Sequence, residues 1–270
     1  MRKVKKENLF ITKAILFLIL LTFAVSGTGC SLFKKKYEKT ETEEYTINTH
    51  NKTKISLDNT RGDIRIFRNT SDSMLRIKIE KIAHVKEKDR DKPIQNVRVK
   101  IDTSGSVVSI NMEYSKEKRF FNISFGDENR INFELHIPDE NMIVIDNTNG
   151  DLFMTDITND VKADITNGDV KLEKVYGNTK LDITNGKVIG DLDSTKGLNI
   201  EVTNGKVNLN LGESFSGKFK LDITNGKIIK DEFDFTDVKE EKKSFEGKLG
   251  DKDAEVIIDV VNGKITLSKR

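Results

Sequence analysis

Cysteine is nearly absent from this chain of 270 residues, and its scarcity limits what the protein can do. The one cysteine, Cys30, excludes an intrachain disulfide. The three histidines (His50, His84 and His136) are scattered, and the sequence has no zinc-ligand spacing, no glycine-rich phosphate loop and no nucleophile elbow. We therefore expect no catalytic residues, no metal site and no cofactor.

An excess of either charge is also lacking, since 46 Lys and Arg face 44 Asp and Glu for a formal net charge of +2. This balance implies no strong polyelectrolyte partner, and we expect no nucleic acid to bind. Amphipathic helices are absent from the chain beyond Cys30. The remaining patterns are those of strands and turns.

The chain has one apolar run, residues 14–25, and it is too short to span a membrane, which takes about 20 residues. Basic residues precede the run, and a short stretch of small residues separates it from Cys30. This order predicts a secretory signal peptide over residues 1–29. The small residues followed by cysteine resemble the bacterial lipobox, which implies diacylglycerol on the Cys30 thiol and cleavage before it. The alternative is an uncleaved N-terminal anchor with a free Cys30. Both place the chain outside the cytoplasm on a membrane tether.

Two regions of different regularity follow the cysteine. Residues 30–46 are polar and charged, so we interpret them as the lipidated cysteine and a flexible tether. Residues 47–140 contain several alternating apolar segments and form a less regular β-rich region. Within it, residues 55–66 look like a diverged first repeat, in which Arg61-Gly62-Asp63 takes the place of Asn-Gly-Asp.

Residues 141–270 repeat the motif Thr-Asn-Gly at nearly constant spacing, and we predict that they form a repeat domain closed by a C-terminal cap. The step from one Asn to the next is roughly 20 residues, and the last step is close to two such periods. This period indicates a repeat architecture in which each unit packs on its neighbours. A final Val261-Asn262-Gly263 closes the series, and Thr158-Asn159-Asp160 reads as a degenerate copy. The repeated asparagines are Asn149, Asn167, Asn185, Asn204, Asn225 and Asn262, and the glycines are Gly150, Gly168, Gly186, Gly205, Gly226 and Gly263.

Apolar residues alternate before and after each motif, as in Leu181 and Ile183, so each repeat reads as strand, corner, strand. An antiparallel meander would use each Asn-Gly as a hairpin turn. A β-solenoid with about 18–21 residues per rung would stack equivalent residues in register. We favour the all-β solenoid, because successive repeats are nearly identical. The alternation then points each Asn inward as part of a hydrogen-bonded ladder, and Gly supplies a corner conformation denied to other residues.

An acidic side chain lies three residues before each repeated Asn. In a solenoid these acids form an outward column at about 4.8 Å spacing. The column could contact Ca²⁺ or another hard cation weakly, because such ions prefer oxygen ligands. We favour solvated acids balanced by Lys187, Lys206, Lys227 and Lys264. The acids are Asp146, Asp164, Asp182, Glu201, Asp222 and Asp259, and Asp156 has the same spacing before Asn159.

The sequence resembles the bacterial "putative adhesin" family of β-strand repeats, the head-GIN-like group, in two places. One is the run Phe133–Pro138 followed by Ile143–Asp151, and the other is the closing segment Gly250–Leu267. The resemblance implies a solenoid-like fold in an envelope protein, and the family name implies adhesion. We therefore expect a lipid-anchored binding or scaffold module that contacts an unidentified envelope protein or glycan. The alternatives are a regulatory component that senses envelope stress and a carbohydrate-active solenoid enzyme.

Overall fold

The computed structural model describes residues 36–94, 97–114 and 129–270. Apart from one turn of 3-10 helix at Glu87–Asp89, the regular elements there are strands. Those strands are β1 Lys36–Asn48, β2 Lys54–Arg61, β3 Ile64–Arg68, β4 Met74–Lys86, β5 Val97–Asp102, β6 Val107–Tyr114, β7 Arg130–Ile137, β8 Met142–Asn149, β9 Leu152–Ile157, β10 Val161–Asn167, β11 Val170–Val175, β12 Asn178–Leu192, β13 Gly197–Leu211, β14 Gly217–Lys230, β15 Thr236–Glu240, β16 Ser244–Leu249 and β17 Glu255–Lys269.

The repeats stack in parallel, so the solenoid prediction is confirmed and the meander is excluded. Asn167 on β10 is in register with Asn149 on β8 and with Asn185 on β12. After the corner, β11 pairs in parallel with β9 and β12. Each rung therefore has an upstream segment before its Asn-Gly corner and a downstream segment after it, and in β12, β13, β14 and β17 both segments belong to one continuous strand. We call the two resulting parts of the sheet the upstream face and the downstream face.

The core lies between the two faces and is one continuous apolar cluster. It is built by the alternation seen in the sequence, since Leu181, Ile183 and Val188 are all at most 3% exposed. Burying such side chains stabilises the fold by roughly 1.5–3 kcal/mol each. A second, smaller cluster of Ala83, Val85 and Ile94 packs beneath Tyr37 of β1.

The diverged first repeat is a true rung. Strand β2 pairs in parallel with β8, and β3 pairs in parallel with β9. Leu57 aligns with Ile145, and Arg61 aligns with Asn149. The region 47–140 therefore continues both faces and extends them with the antiparallel strands β4 and β5.

The tether prediction is wrong for residues 36–46, because they belong to strand β1. This strand pairs antiparallel with β4 along its whole length. Its inner contacts are partly polar: Glu43 forms an ion pair with Lys81, which is 6% exposed, and Tyr45 donates a hydrogen bond to Glu43. Burial and the neighbouring Glu43 carboxylate raise the pKa of Tyr45 to about 12. Ion pairs across the strands thus replace the apolar contacts whose absence suggested a tether.

The last strand of the described chain does not lie at the end of the solenoid. Strand β17 inserts in parallel between β13 and β14, so Asn262 lies between Asn204 and Asn225. The segment predicted as a closing cap is therefore an interior rung. The outer edge of β14 is instead covered over Gly217–Asp222 by the antiparallel strand β16, which pairs with β15.

Candidate functional site

The six repeated asparagines form a continuous amide ladder along the corner. Five of the six side-chain amides donate to the side-chain oxygen of the neighbouring rung, with Asn185 Nδ2 2.9 Å from Asn167 Oδ1 and Asn204 Nδ2 3.0 Å from Asn185 Oδ1, while Asn149 donates to the Thr60 backbone carbonyl. The inserted rung preserves the ladder, because Asn262 donates to Asn204 at 2.9 Å and Asn225 donates to Asn262 at 2.9 Å. Asn167 completes it by donating to Asn149 at 3.0 Å.

The expected inward direction of these asparagines is wrong, because the ladder lies on the surface. Thr184 and Asn185 are both exposed, whereas Ile183 and Val188 on either side of the corner are buried. Alternation holds only along a straight strand. Two consecutive residues occupy the outside of the bend at each corner, so counting in steps of two fails there.

The corner glycines are required chiefly by the close approach of the neighbouring rung. A Cβ at Gly186 would lie 1.9 Å from the carbonyl oxygen of Gly168, and a Cβ at Gly205 would lie 1.7 Å from that of Gly186. Gly150, Gly226 and Gly263 also have φ values of 142°, 153° and 157°, which disfavour other residues. The predicted conformational reason therefore applies to some corners, and the steric reason applies at all six.

The predicted acidic column exists on the upstream face. The register aligns Asp146, Asp164, Asp182, Glu201, Asp259 and Asp222 in that order. Asp156 does not join them, since it lies on the downstream face at the end of β9 with a φ of 57°. Its neighbour Asn159 lies where the chain returns to the upstream face and is 3% exposed, so residues 158–160 are not a copy of the corner.

The lysines expected to balance the acids are on the other side of the corner. Lys162 instead pairs with Asp164 at 3.0 Å, and Lys180 bridges Glu201 at 3.1 Å and Asp182 at 3.7 Å. These two lysines lie two residues before an acid, so they share its outward direction.

Partial burial and repulsion between like charges raise the pKa of three acids in the column. Desolvation and the like charges of Asp58 and Asp164 raise the pKa of Asp146. Desolvation, Asp222 and Glu201 likewise raise the pKa of Asp259. The pKa of Asp182 is also raised, chiefly by desolvation, while Lys180 opposes the shift. These three carboxyl groups therefore hold their protons more tightly than isolated carboxyl groups do.

A shallow groove of about 590 Å³ runs along this side of the corner. It is lined by acids of the column and by the exposed threonines Thr166, Thr184 and Thr203. Lys180 also lines the groove. The arrangement presents hydrogen-bonding groups at the repeat spacing of about 4.8 Å, which suits an extended ligand.

Beyond the corner, the residue after each glycine forms a column whose charge changes sign along the solenoid. Asp63, Asp151 and Asp169 come first, and each accepts a hydrogen bond from the backbone N–H of the next rung at 2.8–3.1 Å. Four lysines in register continue the column. They are Lys187, Lys206, Lys264 and Lys227, in that spatial order. Neighbouring lysines repel by roughly 1 kcal/mol per pair in water.

Sequence reasoning missed two buried asparagines at the first rungs, Asn59 and Asn147, which are both 0% exposed. Their amides donate to the Gly62 carbonyl at 3.1 Å in each case. Later rungs have Ile165 or Ile183 at the same register position. The sequence signal was Asn147 itself, an amide in a position that is apolar in the other repeats.

No cluster of three or more potential metal ligands from His, Cys, Asp or Glu occurs among the described residues. The described part also has no helix long and apolar enough to cross a membrane. Cys30 and the predicted signal peptide lie outside the described residues.

Residues 142–268 match the family model described as Toastrack DUF4097. The predicted resemblance to an adhesin-like family of β-repeats is thereby confirmed for this segment. No curated protein matches the chain.

Solved bacterial structures of low sequence identity are also similar. A putative cell adhesion protein from Clostridium sporogenes is 16% identical, with 86% of this chain and 100% of that chain covered and a TM-score of 0.46. A putative adhesin from Bacteroides fragilis is 12% identical, with 85% and 97% covered and a TM-score of 0.34.

Proposed function

We propose that this protein is a lipid-anchored, adhesin-like binding module that faces outward from a bacterial membrane and contacts another envelope component through its solenoid corner. The observation that carries the proposal is the register of the corner. Threonines, amides and charged groups recur there in straight outward columns beside a groove of about 590 Å³. Identical groups at a fixed spacing can bind an extended ligand at several points, and several weak contacts then add to a stable one.

The proposed attachment rests on the sequence before β1. The basic segment, the apolar run 14–25 and Cys30 together support export and lipidation. Strand β1 starts at Lys36, shortly after Cys30, so the anchor would hold the first rungs near the membrane and leave the later rungs further away.

Binding of the full chain to isolated envelopes of its own bacterium tests the proposal. We expect saturable binding that weakens about tenfold or more in the double variant Asp182→Lys, Glu201→Lys, because both side chains line the groove. The control is Asp253→Lys, which changes an acid outside the groove. Absence of saturable binding to the protein, glycan and lipid fractions of the envelope would reject the proposal.

A further inference from the structure

Although the formal net charge of the protein is only +2, a basic strip lies on the downstream side of the corner. The strip consists of Lys187, Lys206, Lys264 and Lys227, one from each of four consecutive rungs. With rungs about 4.8 Å apart, it is roughly 14 Å long and one residue wide. Lys243 extends it past the last rung, where its ammonium group donates to the Gly226 carbonyl at 2.6 Å.

The strip is not neutralised by the protein. Among the described residues, no carboxylate lies within 4.0 Å of the four column ammonium groups, whereas Lys162 and Lys180 on the upstream face are ion-paired. The adjacent outward column of the same rungs is uncharged: Ile189, Asn208, Thr266 and Ile229. The ladder amides on the other side are already bonded to one another. The strip therefore offers positive charge on all four rungs, beside a column that has hydrogen-bonding side chains on only two of them.

We propose that this strip binds a linear polymer of phosphate groups, laid along the rungs with successive phosphates beside successive lysines. A lysine ammonium acts as a point charge toward phosphate, and its long side chain adjusts to the exact phosphate spacing. A single row of charges matches a linear polymer better than it matches a flat membrane surface. A hydroxyl-rich acidic sugar would require directional partners on every rung, which the bonded amides do not supply and the adjacent column has only at Asn208 and Thr266. The inference rests on the proposed binding function and adds to the groove a second contact surface, on the other side of the ladder, with a ligand class of its own.

The test measures binding of the full chain to inorganic polyphosphate over a range of salt concentrations. The test variant carries Lys187→Gln, Lys206→Gln, Lys264→Gln and Lys227→Gln. The control variant loses four charges from the upstream face, none of them in the groove, through Lys54→Gln, Lys162→Gln, Lys218→Gln and Lys220→Gln. We expect the test variant to bind at least about tenfold more weakly and to reduce the slope of log affinity against log salt by about 3, with the control close to wild type.

Three results would overturn the inference: equal losses in both variants, stronger binding to polyuronate than to polyphosphate, or binding to phosphatidylglycerol vesicles without binding to polyphosphate. Circular dichroism melts of both variants establish that each is folded. Envelope binding separates the two proposals. If envelopes bind but polyphosphate does not, the ligand class is wrong and the binding module stands. If polyphosphate binds but envelopes do not, the strip binds phosphate polymers and the envelope-binding proposal is rejected.

Discussion

At the scale of single residues, the corner glycines leave no room for a side chain between neighbouring rungs. The carbonyl oxygen of one rung occupies the place that a side chain would need in the next. Neither rung can retreat without lengthening the hydrogen bonds that join them, as in the pair Gly168 N–H to Asn185 carbonyl at 3.1 Å. The glycines therefore set how closely the rungs can stack.

We predict that Gly205→Ala lowers the free energy of unfolding by on the order of 3 kcal/mol or more, because the new Cβ would lie 1.7 Å from the Gly186 carbonyl oxygen. Gly105→Ala is the matched control, since no atom lies within 4 Å of its added Cβ, and it should change the value by less than about 0.5 kcal/mol. Urea denaturation measures both. Similar small effects would show that the rungs separate easily at the corner.

At the scale of elements, columns of like charge make stability depend on pH. The raised pKa of Asp259 means that the folded state holds its proton more tightly than the unfolded state. Its charge therefore destabilises the fold above the raised pKa, and this cost disappears as the pH falls below the usual value of 3.8. Asp253 behaves in the opposite sense, because Lys218 and Lys248 lower its pKa.

We predict that Asp259→Asn stabilises the protein at pH 7, by at most about 1 kcal/mol, since surface repulsion is screened by water and salt. The gain should vanish below pH 3.8. Asp253→Asn should destabilise at pH 7, and that loss should fade as the pH drops through its lowered pKa. Thermal melts between pH 3 and 7 measure both variants. A gain for Asp259→Asn that persists at pH 3 would exclude electrostatic repulsion as its cause.

The position of β17 gives a second prediction for elements. We expect truncation after Ala254 to leave β14, β15 and β16 sensitive to protease, because β17 is the strand that joins them to β13. Its buried Val256, Ile258 and Ile265 would also be lost from the core. Deleting Lys36–Asn48 is the control of similar length, since among the described strands it pairs with β4 alone. Limited proteolysis with mass spectrometry compares them. Equal protection of β14 in both would contradict the interior position of β17.

The sequence predicts the rung, the corner and the acidic column, because each depends on spacing along one repeat. It does not predict the order of rungs. Val256–Val260 has the same alternation as Leu198–Val202 and Leu221–Ile223, so any of these strands fits beside any other. Nor does it predict β1, because the ion pair between Glu43 and Lys81 depends on β4, a strand distant along the chain. Information that links distant strands is absent from the local pattern.

At the scale of the whole molecule, the proposed attachment at Cys30 is separate from the proposed contact surface on the later rungs. We predict that Cys30→Ser prevents incorporation of radiolabelled palmitate and leaves the protein either released into the medium or as an uncleaved precursor. Membrane fractionation and detergent phase partitioning measure the outcome. Ser31→Ala is the matched control and should keep the label. A wild-type protein that incorporates no palmitate would end the lipid-anchor proposal while leaving the fold unaffected.

The insertion of β17 also has a consequence for how the chain is made. Rungs from β8 to β13 can be added one after another as the chain emerges, because each pairs with the rung synthesised just before it. Strand β14 cannot, since its parallel partner β17 is synthesised only after β15 and β16. The final rungs must therefore form together, after Glu255–Lys269 has emerged, and until then the exposed edge of β13 remains available to chaperones and proteases.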